Sequence, residues 1–460
     1  NCPMGAAEWP EVSATNGIAT GAIEPEQLLD LAQRAGAEAA EVYQSQSLSR
    51  PVSFEANRLK QIESAQAAGT ALRLWKNGRP GLAVAYGPVD AQALVERAIA
   101  LSALNDPEEI ELADSAAADH YPDLGQAIAV EQLIEWGKSA IAHIRDRHPD
   151  VLCSAEWEAD VETTRLVNSR GLDCGYSDTT LGCYLSAEWV RGDDFLYVAD
   201  GQTQRDRLDP IAIAQQVVQR LDWSRQNAAT LTGRLPVLFT AKAADMLWGT
   251  IQAALNGKQA LEGASPWGGQ TGKLEGSRLG DRVLDGGVTL SQQPDEGPYS
   301  CPFDDEGTAT RAIDFVKDGV LQSFYADRKT GRRLGIGTTG NGFRPGLGSY
   351  PAPGLFNMVI TPGQDSLDQL IANLPSGLII DQMLGGGAGI SGDFSVNIDL
   401  GFWVEQGQIV GRVKDTMVAG NVYAALKQVV ALGGDAEWNG SCYTPSIVVD
   451  GLSITGRSGD

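Results

Sequence analysis

The densest group of carboxylates in the sequence lies in CPFDDEGTATR, where Asp304, Asp305 and Glu306 are consecutive and Arg311 follows. Adjacent carboxylates can bind a divalent cation or perform acid–base catalysis, because their like charges raise one of the two pKa values. Neighbouring side chains of a strand point to opposite faces, so Asp304 and Asp305 can share a site only within a turn. Two interpretations follow, a structural turn with Arg311 as its ion-pair partner and a metal or acid–base site.

Histidine chemistry is restricted by the position of the three histidines, His120, His143 and His148, in the first third of the chain. His143 and His148 are five residues apart in a predicted helix, whereas metal-binding pairs in helices are typically at i and i+4. We therefore predict surface or helix-end histidines and no histidine metal pair. The sequence also contains no Gly-x-Ser-x-Gly elbow, so it does not favour a Ser-His-Asp hydrolase.

Two glycine-rich loops, TTGNGFRPG (338–346) and MLGGGAGISGDFS (383–395), are candidates for ligand contact. Neither has the strand, Gly-Lys-Ser/Thr sequence and helix of a phosphate-binding loop, so nucleotide binding is not predicted. Glycine permits the close approach of an extended peptide or of a second subunit. The candidate residues on these loops are Asn341, Arg344, Gly385, Gly386 and Gly387, the last three within the loop 385–389.

The elements that must position these residues follow from length and patterning. A chain of 460 residues with 43% hydrophobic and 20% charged residues is typical of a soluble globular protein with more than one core. Helices are predicted over 24–37, 90–104, 131–150, 210–222 and 240–257. Tight hairpin turns are predicted at Asn77-Gly78, Asp318-Gly319 and Gln406-Gly407. Without regular βαβ alternation, this order predicts an α+β fold of two domains, 1–225 and 226–460, built from antiparallel sheets with packed helices.

The helix predicted in TAKAADMLWGTIQAALNG (240–257) contains no His, Cys or Glu. Its apolar residues recur with helical spacing and form one stripe: Ala244, Leu247, Trp248, Ile251, Ala254 and Leu255. Thr240 is a suitable N-cap, and Asn256-Gly257 a suitable end. The segment therefore indicates packing rather than chemistry.

The balance of charges limits the classes of partner. Acidic residues outnumber basic ones 59 to 35, and the resulting net charge of −24 disfavours direct binding to nucleic acid or to an anionic membrane. The basic cluster DRKTGRRLG, with Arg328, Lys329, Arg332 and Arg333, is interpreted as a solvated turn.

Cysteine spacing and hydropathy bear on the compartment. Six cysteines without CxxC spacing predict thiols rather than a disulfide framework or a zinc ribbon. No apolar run is long enough for a membrane span and no secretory leader is recognisable, so we expect a cytoplasmic protein.

Six segments of the second half resemble the TldD/PmbA family in order and spacing. They are DDEGTATR (304–311), KDGVLQSFYADRKTGRRLG (317–335), TTGNGFRPG (338–346), GDFSVNIDLGFWVEQGQIV (392–410), VAGNVYAAL (418–426) and PSIVVDGLSITG (445–456). The N-terminal segments AEVYQSQS, GTALRLWKNGRPGLAVAY and LVNSRG also resemble that family. The resemblance covers nearly the whole chain.

The resemblance implies a two-component metalloprotease whose TldD branch carries a His-Glu-x-x-x-His zinc helix just after an apolar strand. The corresponding segment here is LPVLFTAKAADMLWGTIQAALNG (235–257), in which Trp248, Gly249 and residues 251–253 stand about where the histidines and glutamate would be. Zinc hydrolysis needs three protein ligands and a carboxylate base. The sequence therefore resembles the PmbA, or TldE, branch, with no zinc expected in this chain and zinc expected in a TldD-type partner.

The implied role is a subunit that binds and positions an unfolded peptide for the zinc of the TldD-type partner. The family further implies microcin maturation and antitoxin degradation, and it carries the label of modulator of DNA gyrase. Because the acidic charge does not favour direct contact with DNA, we expect any link to gyrase to be indirect. Candidate peptide-cleft or interface residues are Asp304, Asp305, Glu306, Arg311, Asn341, Arg344 and the loop 385–389. Two alternatives remain open, a free-standing metal-dependent peptidase that uses the 304–306 carboxylates and a non-enzymatic peptide-binding homodimer.

Overall fold

The computed structural model describes residues 23–88, 90–114, 121–229 and 232–456. Within these ranges, the first half of the chain forms one large sheet with four helices. In chain order its elements are α1 (Pro25–Arg34), β1 (Ala39–Ser49), β2 (Val52–Glu55), β3 (Arg58–Ile62), β4 (Ala65–Lys76), β5 (Arg79–Tyr86), α2 (Ala91–Ser102), α3 (Val130–Arg147), β6 (Leu152–Asn168), β7 (Asp173–Arg191), β8 (Asp194–Gln204) and α4 (Pro210–Trp223).

This sheet has eight strands, and the long strand β6 joins its parts. On one side β6 pairs with β1 and β2, from which the order continues to β4–β5 and to β3. On the other side β6 pairs with β7, which pairs with β8. All these pairings are antiparallel, so the antiparallel sheet predicted for the first half is confirmed.

The second half is richer in short strands. Its elements are β9 (Gly233–Phe239), α5 (Ala241–Leu255), α6 (Gly257–Leu261), β10 (Leu290–Gln292), β11 (Ile313–Lys317), β12 (Val320–Leu321), α7 (Arg328–Leu334), β13 (Gly342–Phe343), β14 (Ala352–Pro353), β15 (Met358–Ile360), α8 (Leu367–Ala372), β16 (Ser376–Leu384), β17 (Asp393–Glu405), β18 (Gln408–Arg412), β19 (Thr416–Asn421), α9 (Val422–Ala425), β20 (Val429–Leu432), β21 (Glu437–Asn439), β22 (Cys442–Thr444) and β23 (Ile447–Gly456).

The main sheet of this half closes on itself. Its strand order is β16–β9–β23–β19–β17, and an additional pairing of β16 with β17 completes the ring. A second, six-stranded sheet has the order β12–β11–β10–β15–β22–β21. Apart from the parallel pairs β9–β16 and β15–β22, the strand pairings are antiparallel. The predicted α+β class is therefore confirmed, while the two-domain division near residue 225 stays a prediction.

Helix α5 forms as its periodicity predicts. The Thr240 hydroxyl caps its first turn by accepting from the Ala243 N–H. The whole predicted stripe, from Ala244 to Leu255, is buried in one apolar cluster with residues of β9, β16 and β23. Burial of each large side chain in such a cluster contributes about 1.5–3 kcal/mol. Trp248 is fully buried, and its indole N–H donates to Thr444 Oγ1 at 2.6 Å. Both features give this residue a structural role.

The three predicted hairpin turns are confirmed by their backbone angles. Asn77 and Gly78 have φ of 54° and 69°, Asp318 and Gly319 have 47° and 78°, and Gln406 and Gly407 have 50° and 72°. Two consecutive positive φ values define the tight turn whose twist matches the flanking strands.

The interpretation of the basic cluster as a turn is wrong. Residues 328–334 form α7, because the Asp327 side chain caps the first turn and Gly335, at φ 76°, ends the helix. Lys329 Nζ lies 2.6 Å from Glu108, and Arg332 lies 2.7–2.9 Å from Glu111 and Glu109. These bases therefore pair with an acidic segment of the first half.

Histidine and cysteine positions agree with the predictions where the structure describes them. His148 follows the last residue of α3 and is buried, with Nε2 3.2 Å from Asp222 Oδ1 and its ring against Trp189. Burial lowers the pKa of His148, and this effect is only partly offset by Asp222.

Five cysteines among the described residues are free thiols, while Cys2, His120 and residues 1–3 lie outside them. No helix in the described ranges is long and apolar enough to cross a membrane.

Candidate functional site

Residues 304–307 form a tight turn, here called the acid turn, whose carboxylates bind backbone N–H groups. Asp304 Oδ1 accepts from the N–H groups of Glu306 (3.0 Å) and Thr308 (2.8 Å), and its Oδ2 accepts from Gly342 (2.8 Å). Asp305 Oδ2 accepts from the Arg344 N–H at 2.7 Å. The structural-turn interpretation is therefore confirmed.

Glu306 extends the same pattern, because its Oε2 accepts from the Arg328 N–H at 2.8 Å where α7 begins. The three acids thus accept backbone N–H groups from three segments of the chain, which are 306–308, 328 and 342–344. Burial raises the pKa of Asp304 to about 7 and that of Asp305 to about 6, against the lowering effect of the N–H donors. Burial also raises the pKa of Glu306, with Asp304 as the next cause.

Arg344 joins the acid turn to the first half of the chain. Its Nη2 lies 2.6 Å from Glu41 Oε1 on β1, and both side chains are at most 2% exposed. Arg73 of β4 contacts the same oxygen at 3.0 Å. The Arg344 guanidinium also lies 4.9 Å from the centre of the Tyr43 ring. This buried network connects the loop 338–346, which contains Arg344, to the sheet of the first half.

Asn341 and Arg311 have separate environments. Asn341 is fully buried, and its Nδ2 donates to Gln292 Oε1 (2.5 Å) and to the Gly354 carbonyl (2.9 Å). Arg311 is exposed and donates to the Thr338 carbonyl at 3.3 Å. The interpretation of Arg311 as the ion-pair partner of the acids is wrong, since its guanidinium binds a backbone oxygen instead.

The glycine loop lies elsewhere, at the mouth of a cavity of about 410 Å³ beside α5. This α5 cavity is bounded by Lys242 and Met246 of α5, by Gly385–Gly387, and by residues of β7, β8, β16 and β17. The three glycines are exposed, and a Cβ on Gly387 would lie 3.2 Å from Met246 Cγ. The structure therefore places the predicted loop residues beside the helix that the sequence marked for packing, and away from the acid turn.

The floor of the α5 cavity is formed where β8 meets the second half. Gln382 Oε1 accepts from the Ala199 N–H (2.8 Å), and its Nε2 lies 3.4 Å from the Tyr197 carbonyl. Lys242 Nζ donates to the Ala199 carbonyl. These side chains bond to the backbone N–H and C=O groups that β8 leaves free at residues 197–199. No further strand can therefore pair with this stretch of its edge.

A buried ion pair supports the same wall. Arg220 of α4 and Asp381 of β16 are 3.2 Å apart and at most 6% exposed. Glu437 of β21 lies near this pair, and burial together with Asp200 raises the pKa of Glu437 to about 8. Unpaired, each of these charges would carry a large desolvation cost.

Sequence inspection missed most of the residues that line the α5 cavity. Tyr184, Tyr197, Lys242, Gln382 and Asp399 come from five different elements, and no local motif links them. The sequence signal that did point here was the run of glycines at 385–387, where a Cβ would meet nothing within 4 Å at Gly385 or Gly386 and would meet Met246 at Gly387.

Comparison with known families accounts for most of the chain. Three models match in order: PmbA/TldA metallopeptidase domain 1 at residues 40–102, the central domain at 124–225 and the C-terminal domain at 232–456. The chain belongs to the PmbA/TldD family. It is thus a metalloprotease-like protein of that family.

Relatives within the PmbA/TldD family are distant in sequence. The chain is 26% identical to a metalloprotease PmbA homolog of Haemophilus influenzae, over 93% of this chain and 94% of the relative. It is 27% identical to the metalloprotease PmbA of Escherichia coli, over 63% of this chain; the aligned part spans 62% of that relative's length.

Solved structures show the same fold. TldE from Thermococcus kodakarensis superposes with a TM-score of 0.84 at 23% identity, over 94% of this chain and 99% of that one. A Thermotoga maritima protein described as a candidate modulator of a DNA gyrase superposes with a TM-score of 0.81 at 22% identity, with the same coverage.

The family name raises the question whether the residues beside α5 fit a zinc ion. The accessible face of α5 presents Lys242, Asp245, Met246 and Gly249, which offer a single carboxylate. Across the described ranges, no group of three or more His, Cys, Asp or Glu side chains is arranged to hold a metal. Three protein ligands are the usual minimum for catalytic zinc. The residues of the α5 cavity therefore do not fit this metal.

Proposed function

We propose that this chain is the PmbA/TldE-type subunit of a two-component metalloprotease and binds unfolded peptide in the α5 cavity. The observation that carries the proposal is the composition of that cavity: an open glycine loop and Met383 face Met246 of α5, a helix without zinc ligands. A TldD-type partner supplies the zinc and the hydrolytic step, while this chain supplies contacts for the peptide.

The geometry of the cavity supports peptide binding in two ways. Its volume of about 410 Å³ lies within the usual range for ligand pockets, about 300–1,000 Å³. Gly385–Gly387 expose backbone without side chains, which permits an extended peptide to approach closely. The substrates implied by the family are small or unfolded peptides such as microcin precursors and antitoxins, processed in the cytoplasm.

The test is a mixing experiment with the TldD-type protein of the same cell. Each protein alone and the mixture are assayed for cleavage of an unstructured peptide and for bound metal by mass spectrometry. We expect zinc and cleavage to require the TldD-type protein, and the two chains to co-elute as one complex. Stoichiometric metal with cleavage by the isolated chain would overturn the proposal in favour of a free-standing peptidase.

A matched pair of variants connects the cleavage to the cavity. Gly387→Val fills the space next to Met246, whereas a Cβ on Gly389 of the same loop meets no atom within 4 Å. We expect Gly387→Val to raise the KM of the mixture several-fold and Gly389→Val to leave it within about twofold. Equal effects of the two variants would show that the cavity does not receive peptide.

The two alternatives have less support. Each carboxylate of the acid turn already accepts at least one backbone N–H group, and among the described residues no group of three or more His, Cys, Asp or Glu side chains could hold a metal. A peptide-binding homodimer is the outcome that would follow if the chain binds peptide but never associates with the TldD-type protein.

A further inference from the structure

The α5 cavity has a polar end and an apolar wall, and most of its charged groups already have partners. Asp381 is paired with Arg220 at 3.2 Å, and Lys242 donates to the Ala199 carbonyl and lies 3.3 Å from Gln382 Oε1. Neither group is therefore available to pair with a ligand charge without losing a buried contact.

Asp399 of β17 is the exception at this end. It is partly exposed, and among the described contacts it accepts one long hydrogen bond, from Gln382 Nε2 at 3.3 Å. A carboxylate has about four acceptor positions, so Asp399 retains capacity for a further donor. The nearby Arg412 is engaged with Asp194 (3.3 Å) and with the Phe195 carbonyl (3.1 Å).

Two tyrosines complete the polar end. Tyr184 Oη and Tyr197 Oη lie 2.5 Å apart on neighbouring strands, so one hydroxyl donates to the other. Burial, together with the Tyr197 contact, raises the pKa of Tyr184, so this phenol stays neutral near pH 7. Tyr184 is 49% exposed, which leaves its ring available to a cation.

The apolar wall consists of Met246, Met383 and Val396. Thioether side chains adapt to irregular shapes, and the methylene stems of lysine and arginine pack well on such surfaces while their charged ends reach polar groups. The net charge of −24 also attracts cationic peptides and repels anionic ones.

Resting on the peptide-binding role proposed above, we infer that the α5 cavity receives a lysine or arginine side chain of the bound peptide. Its methylene stem contacts the methionine wall, and its charged end meets the Asp399 carboxylate beside the Tyr184–Tyr197 pair. The cavity thus selects peptides by one cationic residue.

Fluorescence anisotropy with the full chain tests this inference. The probes are two labelled, end-blocked unstructured peptides that differ only in one lysine or norleucine, with an arginine and citrulline pair as a second set. We expect the lysine peptide to bind about tenfold more tightly, as one charge-assisted contact allows. Equal affinities, or no binding of either peptide, would overturn the inference.

Variants of β17 and β7 locate the preference. Asp399→Asn should reduce the affinity ratio to near one and leave the norleucine peptide within about twofold, while Tyr184→Phe should lower the ratio less. Asp393→Asn, on the same strand at an exposed position, is the matched control and should keep the ratio. A preference that survives Asp399→Asn and disappears with salt would reflect overall charge and would overturn the inference.

The same peptides separate this inference from the proposed function. If the mixture with the TldD-type protein cleaves the lysine and norleucine peptides with equal kcat/KM, the side-chain preference is wrong and the partnership stands. If the mixture forms no complex and cleaves neither peptide, the partnership fails whatever the binding ratio of the isolated chain.

Discussion

The acid turn and the α5 cavity differ in what their polar groups bind. In the acid turn, Asp304, Asp305 and Glu306 are buried or nearly so and accept N–H groups of their own chain. In the α5 cavity, the glycine loop and Asp399 are exposed or partly exposed and have few partners. A dense group of charges can therefore stabilise a fold, while a sparser one retains the capacity to bind a ligand.

The comparison predicts that variants of the acid-turn network change stability and that variants of the cavity change binding. The largest effect is expected for Arg344→Met, which leaves the buried Glu41 carboxylate with one cation fewer. We expect a loss of about 3–5 kcal/mol in the free energy of unfolding, measured by urea denaturation. Arg311→Met, at an exposed arginine of the same region, should change stability by less than about 0.5 kcal/mol. Similar losses in both variants would contradict the assignment of Arg344 to a buried network.

The second effect is expected for Asp305→Ala, which leaves the Arg344 N–H without its acceptor. The expected loss is about 1–3 kcal/mol of unfolding free energy. Asp314→Ala, an exposed acid 3.7 Å from Lys317, is the control and should cost less than about 1 kcal/mol. If Asp305→Ala instead removed metal and activity from a chain of unchanged stability, the acid turn would be a catalytic site.

The third prediction concerns the glycine loop of the α5 cavity. Gly385 has φ of 103°, where a Cβ is strained, while a Cβ on Gly386 meets nothing within 4 Å. We expect Gly385→Ala to weaken peptide binding several-fold, at a stability cost of about 1–2 kcal/mol. Gly386→Ala should leave both quantities nearly unchanged. Anisotropy titration and urea denaturation of the two variants measure this contrast, and equal binding by both would contradict a role for loop shape.

The smallest expected effect is a pH dependence at His148. Its pKa is lowered by burial, so below pH of about 6.5 the unfolded chain binds a proton that the folded chain excludes. The stabilisation from neutral His148 is therefore present above that pH and is lost as the pH falls towards the lowered pKa. The stability difference between wild type and His148→Gln, followed from pH 8 to pH 5, should shrink on acidification. A constant difference would show that His148 does not titrate differently on folding.

Residues that depend on their neighbours in sequence were predictable. The buried stripe of α5, its Thr240 cap and the turns at Asn77-Gly78 and Asp318-Gly319 follow from helical periodicity and from positive φ, which are local properties. Helix α7 was not predicted, because its four basic residues indicated a solvated turn and the N-cap at Asp327 was not recognised. Its ion pairs with Glu108 and Glu111 join residues more than 200 positions apart.

The sequence by itself determined the α+β class, the family and the absence of histidines from α5. Only the tertiary structure decided which of the candidate site residues are free to bind a ligand. Arg344 and Asp305 meet Glu41 and Tyr43 across the two halves of the chain, where burial makes their partners structural. Tyr184 meets Asp399 and the glycine loop only when the closed sheet of the second half packs against β7 and β8. Such contacts depend on packing between distant strands, which no local spacing specifies.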